Sequence, residues 1–203
     1  MDESYLLVLI ETYKKYEALW QVSNIAFGIT AKRDEMFNKM IEDLKTNHDI
    51  EMSLENLQDY IKYINRLYSK DKEQQLKCEL DNSEFTPTCQ FYKEMTFLNE
   101  SQGPFKCANC NEIIQKYESY HIHVAFHNNT VPFRCPLCKM GFKQFRIYIM
   151  HAKRHLAVNS FQCNVCGKGY PFKTELDWHL TSHTGDKPYL CQVCGTGFRA
   201  RHD

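Results

Sequence analysis

No stretch of this 203-residue chain approaches the roughly 20 consecutive apolar residues that a membrane-spanning helix requires. The opening Met1-Asp2-Glu3 is acidic where a secretory signal would be basic, and the apolar run from Tyr5 to Ile10 is too short for the core of one. Both absences argue for a soluble, reducing compartment. Nor is there a run of five or more basic residues, so nuclear import is an expectation from role and not from a signal. A spare nucleophile and an isolated acid–base pair are also missing, which makes an enzyme the weakest class of function.

Net charge is absent too, but the formal zero is an average. Residues 1–104 carry 12 Lys plus Arg against 19 Asp plus Glu, leaving 13 against 6 for residues 105–203, hence −7 and +7. The positive half stays positive if a dication is held by two thiolates and two neutral imidazoles, and a polyanionic partner follows for it.

What the chain does have is a repeat. Of its ten cysteines, eight form four Cys-x2-Cys pairs, and the first of each pair falls at Cys107, Cys135, Cys163 and Cys191, a period of 135−107 = 163−135 = 191−163 = 28 residues. Three pairs are followed by two histidines spaced four apart: Cys107, Cys110, His123, His127; Cys135, Cys138, His151, His155; Cys163, Cys166, His179, His183. Cys-x2-Cys-x12-His-x3-His brings two thiolates and two imidazoles around one tetrahedral ion, so metal is favoured over disulfides. The fourth pair, Cys191 and Cys194, would need histidines at 179+28 = 207 and 183+28 = 211, past the last residue. His202 sits five positions too early to replace the first of them. This unit is expected to be a frayed half-site, as in a fragment or a truncated isoform.

About 28 residues bury too little apolar area to offset their conformational entropy, so each module must draw its stability from the metal, on the order of 10 to 16 kcal/mol. The expected core is small: Ile114 and Tyr120 in the first module, Phe142 and Tyr148 in the second, Tyr170 and Leu176 in the third. Four protein donors per site leave no open position for water or substrate. His121 could compete with His123, but the repeated 12-residue spacing favours His123 and leaves His121 pointing outward.

The N-terminal half reads differently. Leu6, Leu9, Ile10 and Tyr13 mark an apolar face on a first helix over about 2–15. Met36, Phe37, Met40, Ile41 and Leu44 mark a second over about 31–45, and Leu54, Leu57, Ile61, Ile64 and Tyr68 a third that Ser53 can cap. A three-helix bundle centred on Trp20 is expected. Residues 73–104, polar and acidic with Thr86-Pro87 and Ser101-Gln102-Gly103-Pro104 as breakers, read as a linker, with a short docking segment possible around Phe91 and Leu98. Cys78 and Cys89 read as ordinary thiols.

Residues 105–203 closely resemble the two-Cys, two-His zinc-finger family of DNA-binding transcription factors. Thr184-Gly185-Asp186-Lys187-Pro188 is nearly that family's inter-finger linker; residues 128–134 and 156–162 have its length without its wording. The resemblance implies zinc, docking in the major groove of duplex DNA, and base reading from three positions of each helix. These are Lys116, Ser119 and Ile122 in the first finger, Gln144, Ile147 and Met150 in the second, and Phe172, Glu175 and Trp178 in the third. Gln144 suits adenine, Glu175 cytosine, and Lys116 guanine or a phosphate. Five of the nine are apolar, which supports a rival reading in which fingers bind protein. Arg146, Lys153, Arg154 and Lys173 are phosphate candidates.

Over about residues 5–72, the pattern of helix, Tyr16-x-x-Leu19-Trp20, second helix with an aromatic, and third helix with Arg66-Leu67-Tyr68 resembles a MADF domain, the Myb/SANT-like module of many insect transcription factors. An unrelated three-helix bundle is the alternative. The resemblance implies that the third helix, with Lys62, Arg66 and Lys70 aligned, faces DNA. The acidic balance of this region, and Glu55 and Asp59 ahead of the bases on the same stripe, equally describe a solvated face and favour a protein partner.

The expected architecture is therefore a helical domain (1–72), a linker (73–104), three complete ββα zinc fingers (105–127, 133–155, 161–183) and a truncated fourth (189–203). The expected function is a nuclear, zinc-dependent, sequence-specific DNA-binding transcription regulator whose N-terminal domain recruits a partner or adds DNA contacts. The alternative is a protein–protein adaptor, with RNA binding a lesser possibility; neither membrane nor small-molecule substrate is expected.

Overall fold

The computed structural model describes residues 3–199, so His202 lies outside the described residues. Two compact units make up the chain, Met1–Ala152 and Lys153–Asp203, the division falling within the helix of the second finger.

The first unit opens with α1 (Glu3–Lys15), a short 3-10 turn (Glu17–Leu19), α2 (Thr30–His48) and α3 (Leu54–Asp81). Ser53 caps α3 as its composition demands, its Oγ accepting from Asn56 N at 3.2 Å. Leu9, Ile10, Tyr13, Met40, Leu44, Leu57, Ile64 and Tyr68 meet in one core, the apolar faces read from periodicity. Trp20 is not its centre. It lies half-buried at the rim, donating Nε1–H to Lys14 O at 3.2 Å and packing edge-on against Phe97 at 4.8 Å, while Tyr13 and Tyr68 are the large rings fully enclosed.

The stretch read as a linker is structured. Helix α3 runs on to Asp81, ending with Asn82 in the left-handed region, and a 3-10 segment spans Glu94–Glu100. Tyr92, Met95 and Leu98 are buried in the bundle core, with Phe85, Phe91 and Phe97 packed around them. Two buried charges hold this return in place. Asp71 accepts from the amides of Thr88 (3.1 Å) and Cys89 (2.7 Å), and Lys72 Nζ donates to Asn99 O (2.8 Å) and Gln102 O (2.7 Å). Asn82 ends α3, and the breakers beyond it shape the return without freeing it.

Three ββα modules follow. Their hairpins are β1 (Phe105–Lys106) with β2 (Ile113–Ile114), β3 (Phe133–Arg134) with β4 (Gly141–Phe142), and β5 (Phe161–Gln162) with β6 (Gly169–Tyr170). Helices α4 (Tyr117–His127), α5 (Phe145–His155) and α6 (Lys173–Thr184) pack on them, and a fourth hairpin pairs β7 (Tyr189–Leu190) with β8 (Gly197–Phe198). Register repeats in each: Phe105 faces Ile114, Phe133 faces Phe142, Phe161 faces Tyr170 and Tyr189 faces Phe198.

Candidate metal centres and nucleic-acid interface

Each cysteine pair sits in a backbone knuckle of fixed design. The first cysteine's N–H donates across the hairpin, Cys107 to Glu112 O, Cys135 to Met140 O, Cys163 to Lys168 O and Cys191 to Thr196 O, all between 2.8 and 2.9 Å. Its carbonyl accepts from the residue after the second cysteine, Asn111, Lys139, Gly167 or Gly195, at 2.9 Å. That residue has φ of 60°, 62°, 72° and 71° in turn, the left-handed region that glycine and asparagine take most readily. Lysine at 139 is the exception to that preference.

The closed turn aims both sulfurs at one face of the following helix, where histidines four apart project together. Within each of the three complete sets the donor atoms lie within 4.8 Å of one another. Cys110 Sγ is 3.2 Å from His123 Nε2, which is 3.1 Å from His127 Nε2; Cys138 Sγ is 3.1 Å from His151 Nε2. In the third set Cys166 Sγ is 3.2 Å and His183 Nε2 3.2 Å from His179 Nε2, with Cys163 Sγ 3.4 Å from His183 Nε2. A tetrahedron with Zn–N and Zn–S bonds of about 2.0 to 2.3 Å has edges of about 3.3 to 3.8 Å, close to these separations. Two soft thiolates and two imidazoles per set fit Zn²⁺ and leave no open coordination position.

Electrostatics favour the thiolate at the first cysteine of each complete set, while at Cys110 the Glu112 amide lowers the thiol less than burial and the neighbouring Cys107 raise it. Burial pushes the Cys107 thiol up, but the amides of Asn109 and Cys110 and the neighbouring Cys110 and His123 outweigh it and bring it to about 7. Cys135 and Cys163 are lowered in the same way, their amide contacts overcoming burial. Burial, then His183 and Lys168, lower the His179 imidazole and favour its neutral, ligating form. Outside the ligand sets, Glu112 Oε2 lies 3.5 Å from His123 Nδ1, and Ser182 Oγ the same distance from His179 Nδ1, where each can orient its ring. Sequence reasoning missed Glu112, which its position between the first finger's knuckle and β2 would have indicated.

In the fourth module Cys191 and Cys194 take the same knuckle, and among the described residues no histidine joins them. His121 is not a ligand, yet it does not point outward. It packs 4.3 Å from the Tyr117 ring and 6.2 Å from Phe133, and burial lowers its pKa.

The proposed base-reading positions divide into two groups. In the first two fingers Lys116, Ser119, Ile122, Gln144, Ile147 and Met150 are all exposed to solvent. In the third, Lys153 Nζ lies 5.7 Å from the Phe172 ring centroid and Arg154 Nη2 donates to Glu175 Oε1, so those two positions are occupied by bases of the preceding helix. Trp178 is half-exposed. In the helical domain, Lys62 pairs with Asp59 at 2.8 Å on the stripe expected to face DNA.

Residues 9–98 match the MADF DNA-binding family, described as Alcohol dehydrogenase transcription factor Myb/SANT-like. Its span includes the 85–98 return, where the sequence pattern alone indicates a linker. No curated protein matches the chain. Among solved structures the chain is similar to the C-terminal zinc fingers 6–9 of ZBTB38 in complex with methylated DNA. Identity is 29%, the TM-score 0.30, and the match covers 48% of this chain and 87% of that one. A lysine-to-arginine variant of the same complex matches with the same identity and coverage and a TM-score of 0.31. The chain thus joins a MADF-like domain over residues 9–98 to tandem Cys2His2 zinc-finger modules, three of them complete.

Proposed function

We propose that the chain is a nuclear transcription regulator that docks its zinc fingers in the major groove of duplex DNA, while the MADF-like domain recruits a protein partner. The modules are taken as 105–127, 133–155 and 161–183, with 189–203 incomplete, and each complete one is held by its two cysteines and two histidines. One observation carries the reading: metal-organised helices in series present exposed side chains at Lys116, Ser119 and Ile122, then at Gln144, Ile147 and Met150, 28 residues on. Gln144 can pair with an adenine edge, and the apolar positions can meet a thymine methyl. Lys116 and Lys173 are exposed cations near helix starts, and Lys143 and Arg146 join them on the second finger. Residues 9–98 match a DNA-binding family, and the four-donor sets leave no position for a substrate, so binding and not catalysis is the activity this reading assigns.

Affinity for a duplex selected from random sequence, measured against salt, tests this. Neutralising about six phosphates predicts a log–log slope near −5, hence a loss of about a thousandfold between 50 and 200 mM salt. Exposed Ile122, Ile147 and Met150 supply the specific ground for a second reading, in which the fingers bind protein. Salt-independent or undetectable duplex binding would select it.

A further inference from the structure

The segment between the 3-10 turn and α2 is a folded projection. Asn24 Oδ1 accepts from Ala26 N at 2.9 Å, Phe27 N donates to Asn24 O at 2.9 Å, Ile29 N donates to Ala26 O at 3.1 Å, and Gly28 turns the chain at φ 81°. Ile29 is buried, whereas Ile25 and Phe27 take no part in the bundle core. Ile25 packs instead into the apolar cluster of the second finger, with Phe133, Tyr148, Phe145 and Ile149. The Phe27 ring stands between two fingers, 6.3 Å from Tyr117 of the first and 6.4 Å from Phe145 of the second. Gly28 lies so close to the second finger that a Cβ there would fall 2.8 Å from Ile149 Cδ1.

A second contact joins the same partners. The buried Lys72 ammonium, bonded to the Asn99 and Gln102 carbonyls, sits 4.5 Å from the ring centroid of Phe105, the first residue of the first finger's hairpin. Beneath these contacts the fingers touch directly, Tyr117 against Phe145 at 5.9 Å and His121 against Phe133 at 6.2 Å. On the two finger helices these contacts engage chiefly Tyr117, His121, Phe145 and Ile149, one and five residues beyond Lys116 and Gln144, and the reading positions stay exposed.

We infer that Ile25, Phe27 and Gly28 form an inter-finger clamp, through which the MADF-like domain locks the first two zinc fingers into one rigid body with their base-reading faces outward. The connection over residues 128–134 lacks the wording of the usual inter-finger linker, and here the clamp fixes the relation of one finger to the next. The clamp needs both zinc sites, because its receiving surface is α4, α5 and β3. Its consequence for DNA rests on the function proposed above: two fingers arrive already oriented, so less rotational freedom is lost on binding.

Backbone amide relaxation on the zinc-loaded full chain tests the clamp without DNA. In the wild type, amides of the helical domain and of the first two fingers should share one rotational correlation time. Phe27→Ala and, separately, Ile25→Asp should free the two fingers and shorten their correlation time by about twofold or more, because each module is far smaller than the assembled unit. Helical circular dichroism should hold, since neither side chain lies in the bundle core. Independent tumbling in the wild type, or a shared time surviving both substitutions, would overturn the inference. In parallel, Phe27→Ala should weaken binding to the selected duplex about tenfold. Freed fingers with unchanged DNA affinity would leave the clamp standing and remove its role in DNA binding; a wild type that binds no DNA would refute the proposed function while the relaxation result still decides the clamp.

Discussion

Leu98→Ala separates a structured return from a linker. Leu98 is fully buried, at 0% exposure, and packs in the bundle core beside Met95. Its carbonyl accepts from Ser101 N at 3.0 Å and Gln102 N at 2.9 Å, bonds that alanine keeps, so the substitution removes only side-chain packing. Truncating an enclosed leucine costs about 2 to 5 kcal/mol, from lost transfer energy plus the cavity left behind. For a domain of this size each kcal/mol moves the midpoint by about 4 to 8 °C, so a shift of roughly 8 to 40 °C is expected. Trp20, 4.8 Å from Phe97, reports the transition by fluorescence, in a Trp178→Phe background that removes the only other tryptophan. A change below about 0.5 kcal/mol, the range of an ordinary surface substitution, would refute the packing described for residues 85–101.

Lys139→Gly should stabilise the second finger by about 1 kcal/mol, seen as slower zinc loss to a competing chelator, because lysine there holds a φ of 62°. Removing the carboxylate with Glu112→Ala should weaken zinc binding at the first finger alone, by about 10-fold or more in a competitive titration, through loss of the His123 contact. Lys72, brought down to about 8 by burial, binds fewer protons folded than unfolded between about 8 and its usual 10.5. Its contribution to stability therefore rises with pH across that window, and the urea midpoint of the wild type, taken relative to that of Lys72→Met, should rise from pH 8 to pH 10.

The metal sites were legible in the sequence because their determinants are local. A knuckle of five residues and two histidines one helical turn apart fix four donors with no help from distant chain. The three apolar helical faces were legible for the same reason, since periodicity reports a face. It does not report what covers that face. The return over residues 85–101 hid its Tyr92, Met95 and Leu98 among acids and breakers, in a turn and a following 3-10 segment whose three-residue spacing no α-helical pattern shows. Its two anchors, Asp71 and Lys72, were charges on a helix, and a charge on a helix ordinarily means a solvated face. Phe27 lay in a turn-rich stretch, where its partners, 90 and 118 residues away (117−27 and 145−27), leave no local trace. Glu175 matched a base-reading position by count, but its occupation by Arg154 arises only when two modules fold in series.

Native mass spectrometry of the reduced, purified chain tests the central claim most directly. Three zinc ions per polypeptide are predicted, all released by a strong chelator with loss of ordered structure in residues 105–183. A metal-free chain, or one whose finger cysteines are paired as disulfides, would contradict it.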